Sequence, residues 1–146
     1  MDEKIINAQG MVMGRLASCV SKMLLQKEKI IIINAEKAII TGHRDAAMSK
    51  FNQRVQIKGY SDPLKAPRFV RMPDRILRAC VKGMLPLKKI RGIDALHNLK
   101  VFIGVPENLA GKETINVKDA VYKGTQKYLE LIEVSKILGK DIKVNK

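Results

Sequence analysis

The chain has 146 residues, 46% of them apolar, which is enough to bury a core within one domain and too many for a disordered polymer. It carries 28 Lys or Arg against 14 Asp or Glu, a net charge of +14. A surplus of that size points to a polyanion, nucleic acid before an anionic membrane surface; no apolar run reaches the roughly 18–20 residues that span a bilayer, and the opening Met-Asp-Glu-Lys lacks a signal-peptide pattern, so the expected compartment is the cytosol.

Along the chain, Ile5-Ile6-Asn7 is a short strand candidate, and Gly10 and Gly14 bracket a turn. Leu16, Val20, Met23 and Leu24 recur at helical spacing, which predicts an amphipathic helix over 14–27. "KIIIIN" at 29–34 is apolar and β-branched throughout its centre, as expected of a strand covered on both faces in a parallel sheet. "KAIIT" at 37–41 is a second short apolar run ended by Gly42, and 43–57 follows as a helix with Ala46, Ala47, Phe51 and Val55 on one side. Residues 58–72 change character: Gly59, Pro63 and Pro67, several cations and no periodicity predict a basic loop.

Pro73-Asp74 then starts a helix, since proline fits the first turn and an acid suits its positive end. Leu77, Cys80, Val81 and Met84 mark its apolar face, and Pro86 limits it. A second basic loop is expected over 85–92, then a short helix near 93–98 and a strand "LKVFIGV" at 99–105. "YLELI" at 128–132 reads as extended and "EVSKILG" at 133–139 as a closing helix. Strands alternating with helices predict an α/β fold with a mostly parallel sheet, organised as a single domain over 1–146. Cys19 and Cys80 lie among apolar neighbours and read as buried free thiols; two Cys and two His, all scattered, make no zinc spacing.

The charge is concentrated. Residues 54–91 hold eleven cations (Arg54, Lys58, Lys65, Arg68, Arg71, Arg75, Arg78, Lys82, Lys88, Lys89 and Arg91) against Asp62 and Asp74. Six of the eight arginines fall there, and Arg is suited to forked contacts with phosphate oxygens. Arg75, Arg78 and Lys82 follow i, i+3, i+7 and form one helical stripe beside the apolar one. The helix can thus bury one side and offer the other to phosphates. With three Phe, three Tyr and no Trp, the chain is a poor stacking platform for single-stranded bases, so folded RNA or a duplex is the expected target.

Two strand–Gly–helix junctions suggest a competing reading, a small nucleotide-binding or nucleic-acid-modifying enzyme. "GMVMGR" at 10–15 departs from the G-x-G-x-x-G fingerprint and no Walker A sequence occurs, so it reads first as a tight turn, with Arg15 as a candidate contact to an RNA phosphate. In "TGHR" at 41–44, His43 has no evident nucleophile or carboxylate partner; His43 and Arg44 are expected to face RNA from the helix start. No catalytic residue, cofactor or metal site is expected.

"NAQGMVMGRLAS", "NAEKAIITG", "MPDRILRACVKGMLP" and "LKVFIGVP" occur in this order. Together they resemble the L-thirteen family of large-subunit ribosomal proteins in its archaeal form, over about residues 4–106. The segment 111–146 is less family-like. The resemblance implies a three-layer α/β/α domain with about four parallel strands. It further implies binding to large-subunit rRNA early in assembly, neighbouring large-subunit ribosomal proteins as partners, no small-molecule substrate, no membrane, no catalysis, and a cytoplasmic location.

Overall fold

The computed structural model describes residues 3–57, 62, 64, 69–124 and 126–140. Four consecutive isoleucines organise it. In β2 (Lys29–Ile33), Ile30 and Ile32 point into the main core while Ile31 and Ile33 join Ile5 in a smaller cluster on the opposite face, packed by Leu109. β2 is central and parallel to both neighbours, β1 (Glu3–Asn7) and β4 (Leu99–Val101). Beyond β1 the sheet continues as a single parallel bridge, Ile6 with Ile115, where the Ile115 N–H donates to the Ile5 carbonyl at 2.7 Å. The α/β class and the mostly parallel sheet are as expected.

Helix α1 (Met13–Leu25) covers the main face through Leu16, Ala17, Val20 and Leu24, the helical spacing read from the sequence. "KAIIT" splits: residues 35–37 form a 3₁₀ turn, and β3 (Ile39–Thr41) pairs antiparallel with β5 (Tyr128–Glu130) in a separate ribbon. Helix α2 (Arg44–Gln56) follows, then α3 (Pro73–Met84), α4 (Ile90–His97) and α5 (Leu131–Ile137). No helix among the described residues is long and apolar enough to cross a membrane.

Several expectations need correction. The strand expected over 99–105 stops at Val101. Phe102 still donates to the Ile32 carbonyl at 2.8 Å, but the chain then turns at Gly104 (φ 68°). There it closes over the Asn34–Glu36 turn: the Asn34 N–H donates to the Gly104 carbonyl, and the Gly104 N–H to the buried carboxylate of Glu36, each at 3.0 Å. The apolar face of α3 is Ile76, Leu77 and Val81; Met84 is exposed and Cys80 only half-buried. Ala46 on α2 is exposed, and α2 buries no residue completely; Ala47, Phe51 and Val55 only lean on the core.

The segment expected as a basic loop over 85–92 is shorter and built. Helix α4 begins at Ile90, Leu85 is buried, and the Lys89 and Gly92 N–H groups donate to the Pro86 and Lys89 carbonyls at 3.0 and 2.9 Å. Gly92 makes this turn possible, because a Cβ there would lie 2.2 Å from the Pro86 carbonyl oxygen. Gly83, in contrast, has open space around its Cβ position. Gly92→Ala is therefore expected to destabilise the fold by about 1–3 kcal/mol, the overpacking cost outweighing the helix propensity gained. Gly83→Ala should raise stability by up to about 1 kcal/mol, since only propensity changes. Thermal melts of both variants check the pair: equal shifts of the same sign would contradict this account of the turn.

Candidate nucleic-acid interface

Helix α3 is fixed in rotation by its buried side. Ile76, Leu77 and Val81 pack towards α1, β4 and α5, so Arg75, Arg78 and Lys82 face outward. The entry to α3 is stapled as well: the Ser135 hydroxyl donates to the Arg71 carbonyl at 2.6 Å, and the Met72 carbonyl accepts the first helical bond from Ile76 at 2.8 Å. Asp74 sits in the first turn, where the positive helix end favours an acid.

The stripe does not stand alone. Arg54, in the last turn of α2, joins Arg75, Arg78 and Lys82 around one groove of about 710 Å³, with Phe69, Val70 and Ala79 in its wall and Asp74 as its one acid. None of these four cations has an ion pair among the described residues. A second hollow of about 330 Å³ lies alongside, sharing Arg54, Phe69, Val70 and Ala79, and is otherwise apolar: Phe51, Val55, Ile76 and Cys80 are among its walls. Burial pushes the Cys80 thiol above its ordinary pKa, so it stays protonated and apolar in neutral solution.

A chain-wide comparison decides what this basic face belongs to. Residues 2–108 match the family model for ribosomal protein L13. The large ribosomal subunit protein uL13 of Methanosphaera stadtmanae is 48% identical over 136 residues, covering 92% of this chain and 96% of that protein. Those of Archaeoglobus fulgidus and Methanocaldococcus jannaschii are 43% and 41% identical, covering 94% and 92% of this chain and 88% and 96% of theirs. The chain belongs to the ribosomal protein L13 family. It is thus a structural ribosomal protein and not an enzyme.

Within this L13-family chain, the residues assigned to RNA from sequence separate into groups. Arg54, Arg75, Arg78 and Lys82 come together in the groove. Lys88 and Lys89 are exposed on the turn into α4 and Arg91 in its first turn, and Arg15 is exposed in the first turn of α1. Arg71 is exposed but engaged within the chain, its guanidinium donating to the Leu138 carbonyl at 3.4 Å. Arg44 pairs with Glu133 at 3.6 Å and lies beside Tyr122, Tyr128 and Lys127; His43 is exposed at the start of α2. Lys58, Lys65 and Arg68 lie outside the described residues.

Two features were missed by reading the sequence. Phe51 and Phe69, two of the three phenylalanines, converge on the hollow beside the cations. Tyr122 and Tyr128 pair with ring centroids 5.1 Å apart. The adjacency of Phe69 to Arg68 was the available signal for the first; nothing local marks the second.

At the junctions behind the enzyme reading, the loop amides are already paired. The Gly10, Met11 and Val12 N–H groups donate to the Lys37, Ala8 and Ala120 carbonyls at 3.2, 3.1 and 2.8 Å, and the Gly42 N–H to the Lys127 carbonyl at 2.8 Å. Among the described residues no group of three or more His, Cys, Asp or Glu could hold a metal. Because burial favours the neutral thiol of Cys80, its contribution to stability is complete below the ordinary thiol pKa and is lost as pH rises above it. Iodoacetamide near pH 8 should accordingly alkylate Cys80 in the native chain more slowly than in urea, as followed by mass spectrometry; equal rates would contradict a shielded thiol.

Proposed function

We propose that this chain binds large-subunit rRNA through the outward face of α3 and the groove it shares with α2. It is a structural constituent of the large ribosomal subunit, and in our reading it acts over residues 1–146 as one RNA-binding unit that helps that RNA fold early in assembly. The carrying observation is the groove itself: four cations from two helices, without an ion pair among the described residues, around one concave surface with a single acid. Phosphates neutralise such a cluster without requiring any particular base sequence. Arg15, His43, Arg44, Lys88, Lys89 and Arg91 extend the contact outward, and Lys58, Lys65, Arg68 and Arg71 belong to the same basic segment in sequence. An early role is supported by the way α3 is held, since its apolar side is buried within the chain's own core rather than against a partner. Neighbouring ribosomal proteins would meet the remaining surface.

Replacing Arg75, Arg78 and Lys82 together with Gln removes three charges and preserves helix propensity. Affinity for naked large-subunit rRNA should fall, and the slope of log affinity against log salt should flatten by about two to three contacts. A control triple, Lys22, Lys112 and Lys118 to Gln, removes the same charge from elsewhere on the surface and should leave the slope nearly unchanged. Filter binding between about 50 and 200 mM salt, a range over which six to ten phosphate contacts lose roughly 10³–10⁵ in affinity, measures both. Equal effects from the two triples would reduce the α3 face to diffuse attraction and defeat the assignment.

A further inference from the structure

The basic groove and the apolar hollow are two halves of one cleft. They share Arg54, Phe69, Val70 and Ala79, so an occupant of one half adjoins the other. One half is walled by Arg75, Arg78 and Lys82 and the other by Phe51, Phe69 and Cys80, whose thiol is neutral. An occupant that satisfies both must carry an anion next to a flat apolar body. A nucleotide has this form: a phosphate joined through a sugar to a base with two π-faces. Duplex RNA does not, because the π-faces of its bases are stacked inside. The volume of the apolar half, about 330 Å³, lies at the low end of pockets that hold small organic groups, roughly 300–1,000 Å³.

Resting on the reading of the α3 face as a phosphate-binding surface, we propose that the cleft between α2 and α3 receives one unpaired nucleobase of the rRNA, stacked against Phe69 while its own phosphate is held by Arg54 and the α3 cations. The incompletely buried helix α2 favours this assignment. Phe51 and Val55 lean on the core from one side and line the hollow from the other, so an inserted base would complete the packing that α2 lacks. Aromatic content is low, which made the chain a poor stacking platform on its sequence, yet two of the three phenylalanines converge here.

The test uses the full chain and naked large-subunit rRNA. Ala79→Met narrows the shared mouth of the cleft from an exposed helix position without altering charge, and Phe69→Leu removes the aromatic face while keeping apolar bulk. Each should weaken binding by about 5- to 150-fold, the range for losing one stacked base, with the salt slope unchanged. Ultraviolet crosslinking of the wild-type complex should in addition place a nucleotide adduct on the peptide holding Phe69 or Cys80, a readout that does not depend on any variant folding. Unchanged affinity in both variants with no such adduct would overturn the base pocket, while the phosphate face would stand if the Arg75/Arg78/Lys82 triple still flattened the salt slope. If that triple had no effect either, both readings would fall. An effect of Ala79→Met seen in assembled subunits and absent with naked rRNA would also overturn the proposal, because the occupant would then be a protein side chain.

Discussion

The run of isoleucines at 30–33 is the constraint from which the rest of the molecule follows. A strand apolar on both faces cannot leave either to water, so one face takes Ile5 and Leu109 and the other takes α1 and the elements stacked on it. Once α1 has committed Leu16, Val20 and Leu24 to that face, α3 packs against α1 and β4 through Ile76, Leu77 and Val81. Turning α3 by a single residue, about 100°, would drive Arg75 towards the place of Ile76. Breaking into the core with an unpartnered guanidinium costs several kcal/mol. The direction in which the cations point is therefore determined by the hydrophobic core, and the proposed RNA-binding face is a by-product of how the core closes.

The same magnitudes explain why an uncompensated positive stripe can persist. Like charges at Arg75–Arg78 and Arg78–Lys82 are helix neighbours that cost about 0.2–0.5 kcal/mol each on an exposed face. Burying Ile76, Leu77 and Val81 returns about 1.5–3 kcal/mol apiece. The fold can carry the repulsion, and a polyanion that relieves it binds the native chain in preference to the unfolded one, which adds apparent stability by mass action.

Reading the sequence succeeded where one element carries enough residues to show its own period. The thirteen residues of α1 and the unbroken β-branched run of β2 did so, and the i, i+3, i+7 spacing of Arg75, Arg78 and Lys82 located the outward stripe. It failed where the deciding partner is remote. β3 has three residues and pairs with β5 across almost ninety positions, too short for a period and too distant for a turn signal. "LKVFIGV" gives no sign that Gly104 turns back over Glu36. Arg71 looks like its basic neighbours until α5 presents the Leu138 carbonyl to it. The cleft depends on Phe51 and Phe69 meeting from opposite ends of a segment whose cations dominate its composition. Charge could be counted from the sequence, but the apolar half of the site could not.

An α/β fold with a parallel sheet commonly receives phosphates at the strand–Gly–helix turn beyond the carboxyl ends of its strands. This chain has the turn at 10–15, but its donors at Gly10, Met11 and Val12 are consumed by carbonyls of Ala8, Lys37 and Ala120. A turn whose N–H groups are already paired cannot cradle an anion without breaking those bonds, and each buried group left unmatched costs about 1–3 kcal/mol. The Ala120 carbonyl takes the Val12 N–H, and so stitches the later part of the chain to the first βα unit. In the proposed reading, anion recognition falls to side chains on the surface of α3. Side-chain cations can track an extended backbone of many phosphates, whereas a cradle of backbone amides holds one. That location would suit the proposed ligand, a polymer rather than a single nucleotide.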